Sequence, residues 1–171
     1  RPSVHDKANP ADTFTSRRTF MKTTAAATAF TIVPRTVLGR QHIPPSDRLN
    51  VAIIGAGGQG LVDLDNLIKC PEIQYVGVAD PMEKWDYREF YFGGDAGRQA
   101  AKEIIEKYYA EQRGTESYKG CTVYQDFRDM LEREDIDAVT VETTDSLHAI
   151  AAMAAIKKGL HVYCQKPLTH D

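Results

Sequence analysis

The stretch Asn50-Val51-Ala52-Ile53-Ile54-Gly55-Ala56-Gly57-Gly58-Gln59-Gly60-Leu61 decides how this chain is read. Val51 to Ile54 form a short apolar, β-branched run, the composition of a strand buried on both faces. The run passes directly into a G-x-G-x-x-G. Leu61, Leu64, Leu67 and Ile68 then recur at helical spacing until Pro71 stops the pattern. A strand that bends sharply into a helix favours glycine at Gly55. A backbone that approaches a diphosphate closely has no room for a Cβ at Gly57, and a helix packed tightly on its strand favours Gly60. With Gly58 and Gln59, the free N–H groups of the first helical turn and the positive end of the helix dipole would face the phosphates.

A second strand, Ile73 to Ala79, ends at Asp80, which lies 80 − 55 = 25 positions after Gly55. An acid about 20 residues beyond the fingerprint is where a dinucleotide fold places the carboxylate that accepts the ribose hydroxyls. That carboxylate repels a 2′-phosphate, so NAD is expected over NADP, although Lys84 and Arg88 nearby would soften the exclusion. Asp80 to Asp95 is rich in aromatic residues (Trp85, Tyr87, Phe90, Tyr91, Phe92) and reads as a loop with a short helix, its rings forming local core or a stacking surface.

The rest of the pattern alternates. Ala96 to Gln112 reads as a helix with Ala100, Ala101, Ile104, Ile105 and Tyr108 on one face, ended by Gly114. Cys121 to Tyr124 reads as a third strand, followed by a small helix capped by Asp126. Ala138 to Val141 is a fourth strand and Ser146 to Lys158 a helix ended by Gly159. Leu160 to Cys164 is a fifth strand. Strands alternating with helices predict an α/β doubly wound parallel sheet, a Rossmann fold, here stopping before a sixth strand.

Composition fits this class. The 171 residues are 42% hydrophobic and 26% charged, with 21 basic against 24 acidic residues and a net charge of −3. A mildly acidic chain is a poor partner for nucleic acid. Cys70, Cys121 and Cys164 lie far apart with no C-x-x-C, which indicates three buried thiols and neither a metal site nor a disulfide framework.

Residues 1–40 read as an address rather than as fold. Ser16-Arg17-Arg18-Thr19-Phe20-Met21-Lys22 carries paired arginines, and the mostly uncharged stretch from Thr23 to Val33 follows at once. A basic segment before a short apolar one is the layout of a secretory signal, here of the twin-arginine type. The apolar stretch is far shorter than the roughly 20 residues a bilayer span needs. Residues 41–49 read as a linker, and 50–171 as the incomplete nucleotide-binding domain. The start at Arg1 and the stop at Asp171 suggest a piece of a longer exported, periplasmic protein.

Two further passages bear a resemblance. Thr143-Thr144-Asp145-Ser146-Leu147-His148, after the fourth strand, resembles a T-P-x-x-x-H motif with Thr144 in place of proline. Gly159-Leu160-His161-Val162-Tyr163-Cys164-Gln165-Lys166-Pro167-Leu168 resembles a strand followed by E-K-P. Both occur in the family of glucose–fructose oxidoreductase, inositol dehydrogenase and the MocA protein, which this chain resembles from about Asn50 onward. The resemblance implies Lys166 as the catalytic residue, assisting removal of a hydroxyl proton during hydride transfer. A lysine desolvated beside a positive nicotinamide ring is suited to that task. Thr143 or Thr144 would hydrogen-bond the nicotinamide ribose, and Gln165 and Lys166 would lie beside the cofactor. His148 is a candidate contact and equally a structural residue, while Pro167 suits a cis peptide that would position the lysine. Two departures stand out. Gln165 lacks the charge of the family's glutamate, and Glu142 places a carboxylate where small neutral residues are common.

The activity these features imply is an exported NAD(P)-dependent oxidoreductase acting on a sugar, polyol or glycoside. Its partners would be the twin-arginine translocase and a carbohydrate substrate. A second, α+β domain would supply substrate contacts and a homo-oligomer interface. The alternatives are an NAD-dependent glycoside hydrolase of the same fold and a non-catalytic dinucleotide-binding module.

Overall fold

The computed structural model describes residue 43 and residues 47–89 and 94–169. The signal reading of 1–40 and the aromatic residues at 90–92 lie outside the described residues.

Five strands form one sheet: β1 (Leu49–Ile54), β2 (Ile73–Ala79), β5 (Thr122–Tyr124), β6 (Ala138–Val141) and β7 (His161–Cys164). Their order is β5-β2-β1-β6-β7, parallel at every pairing. The helices are α1 (Gly58–Leu67), α2 (Arg98–Arg113), α3 (Phe127–Arg133) and α4 (Asp145–Lys157). The chain starts at the middle strand, winds outward through β2 and β5, then returns to β6 on the other side of β1. This reversal opens a crevice between the C-terminal ends of β1 and β6, where open parallel sheets bind ligands.

Alternate side chains of β1 feed two separate cores. Ile53 packs with Leu61, Leu64, Tyr75, Ile105 and Tyr109 beneath α1 and α2. Ile54 packs with Met130, Val139, Val141, Ala151 and Ala155 beneath α3 and α4. That two-sided burial is why β1 is apolar without alternation. The α3 cap is as expected, with the Asp126 side chain accepting the Arg128 N–H at 2.9 Å. α4 turns its alanines inward and leaves Leu147, Ile150, Met153 and Ile156 exposed, so it is apolar nearly all round.

Two expectations change. The aromatic stretch after Asp80 contains a small antiparallel pair, β3 (Trp85–Asp86) with β4 (Asp95–Ala96), rather than a short helix. Its loop is tied down by α2. The Arg98 and Gln99 N–H groups at the head of α2 donate to the Met82 and Glu83 carbonyls, and the Arg98 guanidinium donates to the Asp80 and Pro81 carbonyls. Trp85 stays half exposed while Tyr87 packs against the α1–α2 core. Of the three free thiols only Cys121 is buried, and Cys70 and Cys164 are half-buried.

Candidate functional site

The glycine-rich turn sits where β1 ends, and its glycines answer to different constraints. Gly55 has φ +95°, and a Cβ there would stand 2.7 Å from the backbone carbon of Glu142. A Cβ on Gly60 would stand 2.4 Å from the Gly55 carbonyl oxygen. Both are demanded by the protein's own packing. Gly57 is not. Its φ of −80° suits any residue, and the nearest atom to its Cβ position is the Tyr87 hydroxyl at 3.9 Å. Nothing in the fold needs glycine there, so the missing side chain preserves open space over the turn.

That space faces the head of α1. Among the described residues no side chain caps this helix, and its first turn contains no acid. Its first intrahelical bond runs from the Leu61 N–H to the Gly57 carbonyl at 2.9 Å. The N–H groups of Gly58, Gln59 and Gly60 precede it, the usual orphan donors of a helix start. Uncapped donors, a favourable dipole and an empty cradle fit a diphosphate.

Asp80 is aimed at the same turn. Its Oδ2 accepts the Ala56 N–H and its Oδ1 the Met82 N–H, each at 2.7 Å. Each oxygen keeps a further lone pair for a hydroxyl donor. Asp80 lines a cavity of about 300 Å³ with Gly57, Met82, Trp85 and Tyr87. A second hollow of about 540 Å³ lies along the β1–β6 crevice, lined by Gly55, Pro81, Phe127, Arg128 and Thr143 among others. Pro81, Phe127 and Arg128 were not apparent as site residues. The usable signal was position, since each lies within a few residues of a strand's carboxyl end. The two cations expected to soften selection against a 2′-phosphate are engaged elsewhere. Lys84 pairs with Asp95 at 3.0 Å and with Glu103 at 3.9 Å, and Arg88 pairs with Asp86 at 2.6 Å.

Thr143 and Thr144 follow β6. The Thr143 hydroxyl donates to the Thr144 carbonyl at 3.2 Å, and the exposed Thr144 hydroxyl lies 3.3 Å from that of Ser146. His148, a candidate cofactor contact in the sequence, is instead turned inward as a structural residue. Its ring is 2% exposed, with Nδ1 2.6 Å from the Pro167 carbonyl and Nε2 2.9 Å from the Thr143 carbonyl. It braces the β6 loop against the β7 loop from behind. His148→Ala would empty that space and remove the ring's contacts with both carbonyls, with an expected stability loss of about 2–4 kcal/mol, read from denaturant midpoints.

Gln165 is half-buried, and Lys166 and Pro167 are exposed at the end of β7. The Lys166–Pro167 bond is cis. Lys166 is thus not desolvated within the described chain, contrary to expectation. Gln165 reaches back to α1, where its Nε2 donates to Asp63 Oδ2 at 2.6 Å. Glu142 is buried, at 7% exposure. Among the described residues no group of three or more His, Cys, Asp or Glu side chains is arranged to hold a metal ion.

Comparisons with known proteins agree with this geometry. A glycosyl hydrolase family 109 protein of Stenotrophomonas maltophilia is 28% identical over 149 residues, covering 87% of this chain and 29% of that protein. Inositol 2-dehydrogenase 4 of Saccharopolyspora erythraea is 38% identical over 60 residues, covering 35% of this chain and 18% of that one. The chain spans less than a third of the length of these relatives. A myo-inositol dehydrogenase of Corynebacterium glutamicum shares the fold at a TM-score of 0.52 and 24% identity, over 72% of this chain and 29% of that structure. The family model described as "Oxidoreductase family, NAD-binding Rossmann fold" matches residues 49–171. The parallel sheet, the open cradle at Gly57 and the acid at Asp80 therefore belong to an NAD-binding Rossmann domain, and the chain is a member of the Gfo/Idh/MocA oxidoreductase family.

Proposed function

We propose that this domain serves an exported, NAD-dependent oxidoreductase that moves hydride to or from a carbon of a sugar or polyol. The observation that carries the proposal is the convergence of the Gly57 cradle, Asp80 and the Lys166 loop at the carboxyl edge of one sheet. Gly58, Gln59 and Gly60 would give their N–H groups to the diphosphate, and Asp80 would accept the adenosine ribose hydroxyls. The adenine would lie in the hollow beside Phe127 and Pro81. Thr143, Thr144 and Gln165 would contact the nicotinamide half. NAD is preferred over NADP because Asp80 supplies negative charge at the ribose, while Lys84 and Arg88 are held by their own carboxylates.

When bound, the nicotinamide supplies the hydride acceptor. Lys166 would take the substrate hydroxyl proton as that carbon is oxidised, and would return it in the reverse direction. The exposure of its side chain supports the proposal only with a second domain, which would exclude water from it. Export rests on the Ser16–Lys22 passage and its apolar sequel, with residues 1–40 as the signal and 50–171 as the nucleotide domain.

The test is to incubate the intact protein with NAD and a panel of polyols and sugars, following absorbance of the reduced ring. Lys166→Ala is expected to lower turnover by at least about 100-fold with NAD affinity unchanged. Loss of NAD binding in that variant, or full turnover, contradicts the role given to the lysine. The hydrolase relative favours a second reading, glycoside cleavage without net reduction of NAD. Release of an aryl glycoside's aglycone with no gain in reduced cofactor would select it.

A further inference from the structure

Behind the glycine-rich turn lies a group that dinucleotide binding does not use. The Glu142 side chain runs beneath α1, its Cβ 3.0 Å from where a Cβ on Gly60 would stand. Both of its carboxyl oxygens are buried, and no N–H or O–H of the described residues reaches either. The titratable groups within electrostatic reach of it are Asp63 from α1, Tyr163 and Cys164 from β7, and Tyr75 from β2. All are neutral or acidic, and the Thr140 hydroxyl beside Tyr75 is also buried.

An ionised carboxylate at this place would lack hydrogen bonds and would face a second carboxylate, an arrangement proteins avoid. One proton removes both difficulties. A neutral Glu142 has an O–H to donate, and Asp63 has lone pairs to receive it. Burial first, then the charge of Asp63 and a hydrogen bond with it, push Glu142 up to about 8.

Asp63 is the junction of the network. Its Oδ1 accepts the Gln59 side-chain amide at 3.0 Å, from the phosphate turn. Its Oδ2 accepts the Gln165 amide at 2.6 Å, and Gln165 Oε1 accepts the backbone N–H of Lys166 at 3.2 Å. One carboxylate thus joins the cradle, the end of β6 and the lysine loop.

We infer that Glu142 is held as a neutral acid sharing its proton with Asp63, and that this acid–carboxylate pair positions Lys166 through Gln165. The lysine half of the inference rests on the proposed function, whereas the pair itself does not. When Glu142 ionises, two carboxylates oppose one another. The half-buried Asp63 then turns toward solvent and releases Gln165.

The pair is tested by ¹³C NMR titration of side-chain carboxyls in the intact protein, from about pH 5 to 10, for the native chain, Glu142→Gln and Asp63→Asn. The expected result is a carboxyl with a midpoint about three units above the usual range, absent in Glu142→Gln and shifted downward in Asp63→Asn. The Gln165 side-chain amide signal should move with the same midpoint. Turnover of the native protein should decline as Glu142 ionises, near pH 8, and Glu142→Gln, which still donates, should lose that decline with NAD affinity unchanged. Glu142→Ala, which cannot donate, should lower kcat about tenfold. No carboxyl titrating above about pH 6, or a Gln165 amide indifferent to it, overturns the pair. Equal behaviour of the Gln and Ala variants overturns the positioning role. Full turnover in Lys166→Ala overturns the lysine's assignment and leaves the titration to judge the pair.

Discussion

Gly57→Val is expected to abolish NAD binding while leaving the fold intact. The backbone at Gly57 has an ordinary φ of −80°, and the nearest atom to an added Cβ is 3.9 Å away. A Cβ there is therefore accommodated by the protein, and a branched side chain built on it would occupy the space over the turn. Blocking close approach of the diphosphate removes its bonds to the α1 donors together with the dipole contribution. We expect affinity to fall by at least about 100-fold, roughly 3 kcal/mol, with an unchanged melting temperature. Gly55→Ala makes the contrast. Its positive φ and a contact at 2.7 Å with the Glu142 backbone predict a stability loss of several kcal/mol, ~3 or more. Calorimetric titration with NAD and thermal melts of both variants separate binding from folding. A Gly57→Val protein that folds and binds NAD normally would sink the assignment of the cradle.

Glu142 predicts a stability that declines as pH rises. Its folded pKa of about 8 lies above the ordinary carboxyl value near 4.5, so the folded chain binds more protons than the unfolded chain between those limits. The sign follows: below about pH 4.5 both states are protonated and the residue is neutral to stability, and the penalty then grows until it levels off above pH 8. Glu142→Gln removes the titration while keeping a donor toward Asp63. It is expected to match the native chain near pH 4, to be more stable by on the order of 3 kcal/mol at pH 7, and by somewhat more at pH 9. Urea midpoints of the two proteins across this range provide the check. Parallel pH profiles would show that Glu142 is solvated and ionised.

A residue that lowers stability at neutral pH is a local conflict of the kind found at functional sites. Gln165 and Glu142 looked like separate departures from the family pattern. In the fold they stand on either side of Asp63, and the amide at 165 serves as a donor to that carboxylate, which a glutamate could not do without a proton.

The local pattern by itself determined the five strands of the main sheet, the helices that join them and the class of ligand. Buried parallel strands must be apolar on both faces, helices must show one apolar face, and a strand–glycine–helix turn followed by an acid has few other uses. These are constraints between residues close in the chain, so they are written in the order of residues. The tertiary structure decided which glycines the protein's own packing demands and which one it does not, because that depends on what stands opposite each Cα. It turned His148 inward, since carbonyls at Thr143 and Pro167 meet only after β6 and β7 pair. It also brought Asp63, Glu142 and Gln165 together, over a separation of 102 residues between the first and last. A contact of that range comes from the sheet's strand order, not from any spacing along the chain.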